Sequence, residues 1–265
     1  MGTFLLSELP PFTMRAVCCI GAAGFAFVLA GACGETLAAP RAQWGRLLIF
    51  ATLNFAAFVV LSTLALVWLT ASEAVIVTFT LPIWAVVLAW PMLGERPTVQ
   101  RAAAVVLGMA GVALLVGVGE VQADPHKLPG AACGLGAAML WGLGTVIAKR
   151  RPLAMPPVAG VAWQILLGSL PLLLLAGFER PDWGRVTALG WLACVYSAIV
   201  PNALAFMAWF GALRRLPAST AAVGILLAPV LGVFSSAVLL GDPLGARQMV
   251  ALALTVGGIA LAARA

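Results

Sequence analysis

The strongest constraint on the fold is a series of long apolar runs separated by short connections that carry charge. A helix that crosses the hydrocarbon core of a bilayer needs about 20 apolar residues. On that basis the chain is predicted to contain nine spans, and the short connections make successive helices antiparallel. The predicted spans are at about residues 16–34, 47–68, 71–93, 102–119, 130–148, 157–178, 188–210, 218–240 and 245–263. The sequence therefore predicts an all-α polytopic membrane protein.

Composition excludes a water-soluble fold. Of 265 residues, 63% are hydrophobic and 9% are charged, and the mean hydropathy is +1.09. An ordinary soluble domain has about 45–50% apolar and about 25% charged residues. The formal net charge of +6 comes from 15 lysines and arginines scattered in small groups between the apolar runs. That distribution is typical of topology signals, and no nucleic-acid-binding face is predicted.

The connections differ in basic charge, and this difference predicts an orientation. One set of alternate connections, from Arg41 to Arg264, holds ten basic residues, and the opposite set holds five. The positive-inside rule places the richer set in the cytoplasm. We therefore predict an integral protein of a bacterial inner membrane. Its C-terminus is cytoplasmic and, if the chain is complete as written, its N-terminus is outside.

The chain contains an internal repeat at a shift of 147 residues. Residues 69–95 align over 216–242 without a gap, and the alignment continues to Gly111 over Gly258. By the charge count the two aligned spans cross the membrane in opposite directions, which predicts an inverted-topology duplication of the kind used for alternating access. The coinciding pairs include Leu69/Leu216, Ala71/Ala218, Ser72/Ser219, Ala74/Ala221, Pro82/Pro229, Leu93/Leu240 and Gly94/Gly241, and Glu95 meets Asp242.

The two predicted repeats, residues 1–120 and 130–265, differ in helix number. The first has four predicted helices and the second has five, because the counterpart of helix 130–148 falls before residue 1. Two interpretations stay open. Either the gene start is placed too late and the first helix is missing, or the protein is a nine-helix variant.

Several short motifs occur in a fixed order along nearly the whole chain. They are 10-PPF-12 with Arg15, 81-LP-82, 93-LGER-96, a helix with Gly108 and Gly111, 141-WGLGT-145, and the run from Ala218 to Gly258. In this order they resemble the EamA-type proteins of the drug/metabolite transporter superfamily, which have ten helices in two five-helix repeats. The resemblance implies a central pathway that opens alternately to each side. It also implies export or exchange of an amino acid, a nucleobase or a drug-like compound.

Polar side chains and prolines inside the spans are candidates for the transport pathway, because polar groups are costly there. Asn202 lies beside Pro201 at the centre of span 188–210, although a hydrogen bond to a neighbouring backbone group explains it equally well. Pro82 and Pro229 lie at the centres of two other spans. Each is predicted to kink its helix and to free a backbone carbonyl, which either binds substrate or only permits the bend.

A second group of candidates follows from helical spacing. Glu73, Thr80 and Trp84 are predicted to share one face of the span 71–93. Glu73 can couple protons to transport, but a helix capped by Ser72 with an acid in its first turn is the favoured interpretation. Aromatic rings away from span ends can stack on a planar or cationic substrate, or simply pack. These are Trp84, Trp141 and Tyr196. Thr145, Gln164, Ser235 and Ser236 are weaker candidates, because such side chains often bond back to their own helix.

No catalytic residue, metal site or cofactor is predicted. The single histidine, His126, lies in a polar loop, and the five cysteines have no CxxC spacing. We therefore predict a secondary transporter rather than an enzyme, with a small-molecule substrate and the lipid bilayer as partners. Protons as the coupling ion and a homodimer stay open. The alternative function is a truncated, non-transporting paralogue or a binding subunit.

Overall fold

The computed structural model describes residues 8–96, 98–116, 125–228, 231 and 245–263. Within these ranges the chain forms helices and no strand. The α-helices are α1 (Pro11–Ala32), α2 (Trp44–Phe50), α3 (Ala57–Ala65), α4 (Ala71–Thr78), α5 (Leu81–Leu93), α6 (Val99–Val116), α7 (Leu128–Arg150), α8 (Pro157–Ala176), α9 (Ala188–Ser197), α10 (Ala205–Arg215), α11 (Ala218–Gly224) and α12 (Ala246–Ala263). Two π-helical segments, Ala51–Ala56 and Ala198–Leu204, join α2 to α3 and α9 to α10.

Six helical segments of the described chain are long and apolar enough to cross a bilayer. They are Pro11–Ala32, Arg41–Ala65, Glu73–Leu93, Pro125–Arg150, Pro157–Ala176 and Ala188–Arg215, and two shorter apolar helices cover Val99–Leu114 and Gln248–Ala262. The predicted all-helical membrane fold is confirmed. The predicted span 218–240 begins with α11, and most of the remainder, including Pro229, lies outside the described residues.

The chain divides into two compact units that do not follow the two sequence repeats. The first unit consists of Met1–Thr63 and Arg151–Arg215, and the second of Leu64–Arg150 and Leu216–Ala265. Each unit therefore takes helices from both halves of the sequence. In the first unit α1 packs along α8, and in the second α6 packs along α12. In both pairs a helix contacts its own repeat counterpart.

Two glutamates fix the α1–α8 pair of the first unit. Glu35, just beyond the end of α1, accepts hydrogen bonds from the N–H groups of Val158 and Ala159 at 3.3 and 2.8 Å. Glu179, just beyond the end of α8, accepts from the N–H and the hydroxyl of Thr13 at 2.6 and 2.7 Å. Each carboxylate thus accepts hydrogen bonds from free N–H groups at the start of the other helix, and its negative charge interacts favourably with the dipole of that helix. This reciprocal geometry requires α1 and α8 to run antiparallel.

A glycine and an acid connect the two halves within the second unit. Gly94 ends α5 with a φ of +73°, a left-handed conformation that glycine adopts without strain. The next residue, Glu95, accepts hydrogen bonds from the N–H of Ala218 at 3.0 Å and from the N–H and hydroxyl of Ser219 at 3.2 and 2.7 Å. The Leu-Gly-acid motif of the first half therefore ends one helix and caps another. Asp242, the corresponding acid, lies outside the described residues.

Small residues allow α6 and α12 to approach closely. A Cβ at Gly258 would lie 2.7 Å from the carbonyl oxygen of Ala104 and 2.9 Å from the backbone nitrogen of Gly108. A Cβ at Gly111 would overlap the hydroxyl oxygen of Thr255. Since lipid provides little hydrophobic drive for helices to associate, this backbone proximity and the packing it permits stabilise the pair.

Candidate functional site

Asn202 and Pro201 lie together in the π-helical segment Ala198–Leu204 of the first unit. Proline has no N–H and so cannot donate to the carbonyl of Ser197, four residues earlier. The side chain of Asn202 does so instead, because its Nδ2 donates to the Ser197 oxygen at 2.7 Å. In this conformation the half-buried amide therefore bonds to the backbone of its own helix. A backbone hydrogen bond of this kind is the second of the two explanations that the sequence leaves open for Asn202. Tyr196, on α9, has 49% of its surface exposed on this unit.

The π-helical segment of the first half contains a buried asparagine, Asn54, which was not among the residues predicted from the sequence. Asn54 is 1% exposed, and neither its Oδ1 nor its Nδ2 has a hydrogen-bond partner among the described residues. The two π-helical segments begin at Ala51 and Ala198, which are equivalent positions at the repeat shift of 147. A π-turn within an α-helix is often found at a functional site.

Gln164 lies on α8, the helix that packs against the segment Ala51–Ala56. It is 4% exposed, its Nε2 donates to the Gly160 carbonyl at 3.0 Å, and its Oε1 has no partner within the described chain. One turn later, a Cβ at Gly168 would lie 2.8 Å from the Cβ of Phe55 and 2.9 Å from the Ala51 oxygen. Two contacting helical elements of the first unit thus carry three unpaired, buried amide atoms.

Two grooves also lie on the first unit. The larger, of about 450 Å³, is lined by residues of α1 and α8 such as Val17, Ile20 and Leu173, and the smaller, of about 200 Å³, by Val161, Phe210 and Arg214 among others. The residues predicted for the transport pathway line neither groove.

In the second unit the span Glu73–Leu93 is broken near Pro82. Helix α4 ends at Thr78 and α5 begins at Leu81, so residues 79–80 interrupt the span. Pro82 is the second residue of α5. The proline cannot donate to the carbonyl of Thr78, and the N–H of Thr80 bonds the Val77 carbonyl at 3.2 Å in a tighter turn. The Thr80 hydroxyl donates to the same carbonyl at 2.7 Å.

This break affects the predicted face of Glu73, Thr80 and Trp84. The face assumed one continuous helix over 71–93, and that assumption is wrong at residues 79–80. Glu73 lies on α4 and Trp84 on α5, so helical spacing does not relate their side chains.

Both carboxylate oxygens of Glu73 have partners in the second unit. The Thr70 hydroxyl oxygen accepts from the Glu73 N–H at 3.3 Å, and Glu73 Oε2 accepts from the Thr70 N–H at 2.9 Å. This is a capping box, so the residue that caps α4 is Thr70 and not Ser72 as expected. Glu73 Oε1 forms an ion pair with Lys127 Nζ at 2.6 Å. Glu73 therefore joins the start of α4 to the residue that precedes α7.

Trp84 and Thr145 lie on the two helices that meet at Gly142. A Cβ at Gly142 would lie 2.9 Å from the Cβ of Trp84 and 3.0 Å from the backbone nitrogen of Ala85, so α7 packs directly on α5. Thr145 follows Gly142 by about one helical turn and is fully buried, and Trp141, one turn before Thr145, is buried with 6% exposure. The Thr145 hydroxyl and the Trp84 indole N–H have no partner in the part of the chain that the structure describes.

The buried groups of these helices offer hydrogen bonding. Among the described residues, no three His, Cys, Asp or Glu side chains are grouped in a way that holds a metal ion. The buried groups without partners are amides, a hydroxyl and an indole N–H, and they lie inside membrane-spanning helices. Such groups can bind an uncharged or zwitterionic molecule by hydrogen bonds.

The sequence profile of the EamA-like transporter family matches the chain twice, over residues 1–117 and 128–264. The chain belongs to the EamA-like transporter family. The resemblance inferred from the ordered motifs is confirmed, and with it the assignment to the drug/metabolite transporter superfamily. This EamA-like chain is an integral membrane protein of a transporter family.

Individual relatives agree with this family assignment. The chain is 29% identical to the uncharacterized transporter YvbV of Bacillus subtilis over 83% of this chain and 72% of YvbV. It is 29% identical to the aromatic amino acid exporter YddG of Ancylobacter novellus over 72% of this chain and 66% of YddG. A solved crystal structure superposes with a TM-score of 0.87 at 25% identity, covering 98% of this chain and 90% of that one. For another relative, the uncharacterized transporter YoaV of Bacillus subtilis, the matched region covers only 55% of that protein's length.

Proposed function

We propose that this EamA-like protein is a secondary transporter that exports or exchanges a small metabolite by alternating access across a bacterial inner membrane. The observation that carries the proposal is the reciprocal capping of α1 and α8 by Glu35 and Glu179. These helices are counterparts from the two halves and run antiparallel within one unit. Inverted repeats of this kind are the basis of alternating access in many secondary transporters.

Amino acids are the first substrate class to test, ahead of nucleobases and drug-like compounds. The name of the relative YddG, an aromatic amino acid exporter, supports this order. The candidate pathway residues are Asn202 and Tyr196 in the first unit and Thr80, Trp84, Trp141 and Thr145 in the second. The prolines Pro82, Pro201 and Pro229 are proposed as the bends that let these helices move.

Glu73 is proposed to have a structural role, since the capping box and Lys127 occupy its carboxylate. Proton coupling, which remains part of the hypothesis, then requires another group. The orientation predicted from the basic connections completes the proposal. It places the C-terminus and the connection 149–151 in the cytoplasm.

The proposal is tested by comparing extracellular metabolites of cells that express the wild-type chain, the Asn202→Ala variant or an empty vector. We expect one compound class to accumulate with the wild-type chain. Asn202→Ala should reduce that accumulation at an equal amount of inserted protein. Accumulation equal to the empty vector would contradict export, and full activity of Asn202→Ala would remove Asn202 from the pathway.

A further inference from the structure

Asn54 has a buried amide that its own unit does not use. The residue lies inside the span Arg41–Ala65 and is 1% exposed. It is the one side chain within the described ranges whose amide oxygen and nitrogen are both buried without a partner. A polar group taken out of water without a hydrogen bond destabilises the folded protein, and more so within a membrane, where water does not replace the partner. An amide that the described residues leave unpaired inside a span therefore points to a partner outside them.

The local explanation that holds for Asn202 does not apply to Asn54. Asn202 binds the Ser197 carbonyl that Pro201 has released. The segment Ala51–Ala56 contains no proline, so no carbonyl is released beside Asn54 in the same way. The two π-helical segments are equivalent in the repeat, but only the second has a proline and an amide that is satisfied locally.

Gln164 supplies a second observation on a helix that contacts this segment. Its Nε2 is held by the Gly160 carbonyl at 3.0 Å, and this bond leaves its buried Oε1 as an unpaired acceptor. Close contact of Gly168, one turn later, with Phe55 and Ala51 keeps α8 against the π-helical segment. The first unit therefore offers two acceptors, Asn54 Oδ1 and Gln164 Oε1, and the donors of Asn54 Nδ2.

The chemistry of these groups selects the ligand. Neither amide carries a charge, so an isolated ion at this depth would lack compensation. A head group with both donors and acceptors and no net charge can satisfy both residues, with an ammonium donating to the two oxygens and a carboxylate accepting from Nδ2. Phe55 and Ile165, the chain neighbours of Asn54 and Gln164, are buried in one apolar cluster, against which Phe206 packs with its ring centroid 5.1 Å from that of Phe55. The same two helical elements therefore carry both the unpaired amides and an apolar cluster, which favours a ligand with an apolar or aromatic side chain.

We propose that Asn54 and Gln164 form the polar part of a substrate-binding site that recognises the zwitterionic head group of an apolar or aromatic amino acid. This inference rests on the proposed transport function and adds the residues and the substrate chemistry to it. Asn54 provides both kinds of hydrogen bond, and Gln164 provides an additional acceptor.

The test measures uptake of labelled phenylalanine into proteoliposomes that contain the full chain. Competitors are unlabelled phenylalanine, phenylpropionate, which lacks the ammonium, and phenethylamine, which lacks the carboxylate. For the wild-type protein we expect each single-charge analogue to compete at least about tenfold more weakly than phenylalanine, because each lacks at least one of the proposed charge-assisted hydrogen bonds. Asn54→Leu should reduce uptake by a similar factor or more.

Stability separates this role from a structural one. Asn54→Leu removes an amide that has no bond in the fold, so its melting temperature should equal or exceed that of the wild-type protein. A structural amide would instead give a lower melting temperature. Thr63→Val is the matched control, because Thr63 is on the same span, is 5% exposed, and its hydroxyl is satisfied by the Val59 carbonyl at 2.7 Å. We expect Thr63→Val to retain uptake. Should Asn54→Leu fail to insert, Asn54→Ala carries the same expectation.

The outcomes distinguish the inference from the proposed function. Undiminished uptake and unchanged competition in the Asn54 variant would overturn the inference and leave transport standing. Transport of other compounds by the wild-type protein without uptake of phenylalanine would overturn the substrate chemistry. Absence of flux for every compound tested would remove the proposed function, and the inference with it.

Discussion

Ser219 is held by Glu95 through two hydrogen bonds, one from its backbone N–H at 3.2 Å and one from its hydroxyl at 2.7 Å. Glu95 lies two residues beyond Leu93, the last residue of α5 in the first half, and Ser219 lies in the first turn of α11 in the second half. In the first unit Glu35 and Glu179 make the corresponding bonds between α1 and α8. Carboxylates that end a helix of one half and cap a helix of the other are thus common to both units.

Loss of the Glu95 carboxylate should destabilise the second unit. Glu95→Ala leaves the first N–H groups of α11 without a cap, and we expect a loss of about 1–2 kcal/mol in the free energy of unfolding. The measurement is thermal unfolding in detergent. Arg96→Ala changes the adjacent exposed residue and serves as the control. Equal melting temperatures for both variants would contradict the capping role.

The same interaction can be isolated by a double-mutant cycle. Ser219→Ala removes the hydroxyl that donates to Glu95 but retains the backbone N–H. The effects of Glu95→Ala and Ser219→Ala should therefore be less than additive. Full additivity would show that the two residues are not energetically coupled.

Close packing of α6 on α12 predicts opposite effects for two glycines. Gly111→Ala places a Cβ against Thr255 and 2.7 Å from the Ala251 carbonyl oxygen, and should cost about 1–3 kcal/mol of stability. Gly257→Ala is the control, since nothing lies within 4 Å of its added Cβ. That variant should be neutral or more stable by up to about 1 kcal/mol, because alanine favours the helix. Equal thermal stabilities of the two variants would contradict the described packing.

The apolar runs and the ordered motifs were enough to predict the helical membrane fold and the family. Hydropathy reports which segments are buried in lipid, and helix ends such as Pro11 and Gly94 are marked by local chemistry. Hydropathy does not report which helices pack together, because every face of such a helix is apolar. The pairing of α1 with α8 and of α6 with α12 therefore appeared only in the structure.

The candidate site was predicted less completely. Asn54 was overlooked inside the predicted span 47–68, although any asparagine within a span is a candidate and Asn54 lies within one residue of the repeat position of Asn202. The π-helical segments have no clear sequence signal, because a single wide turn barely changes the periodicity. The partner of Glu73 was also beyond prediction, since Lys127 is 54 residues away along the chain.

Glu73→Gln should preserve the pH dependence of transport. The carboxylate is bonded to Thr70 and Lys127, so we expect the substitution to lower the melting temperature through the weakened ion pair. Flux measured across a range of pH in proteoliposomes should keep its wild-type profile, even if its amplitude falls. A profile that loses its pH dependence would instead assign proton coupling to Glu73.

The predicted orientation can be measured by cysteine labelling with a membrane-impermeant reagent. The background carries Cys33→Ser, because Cys33 is an exposed native cysteine. A cysteine in place of Arg150 should react only after the membrane is permeabilised, whereas a cysteine in place of Asp182 should react in intact cells. The reverse pattern would invert the proposed topology.

The central claim, that this EamA-like chain carries a metabolite across the membrane, is tested most directly by counterflow. Proteoliposomes containing the full chain are loaded with unlabelled phenylalanine and diluted into a trace of labelled phenylalanine. A carrier that alternates between two sides exchanges the two pools, so we predict a transient accumulation of label above its equilibrium level. Label that never exceeds the level in protein-free liposomes, for phenylalanine and for the other proposed substrate classes, would contradict the account.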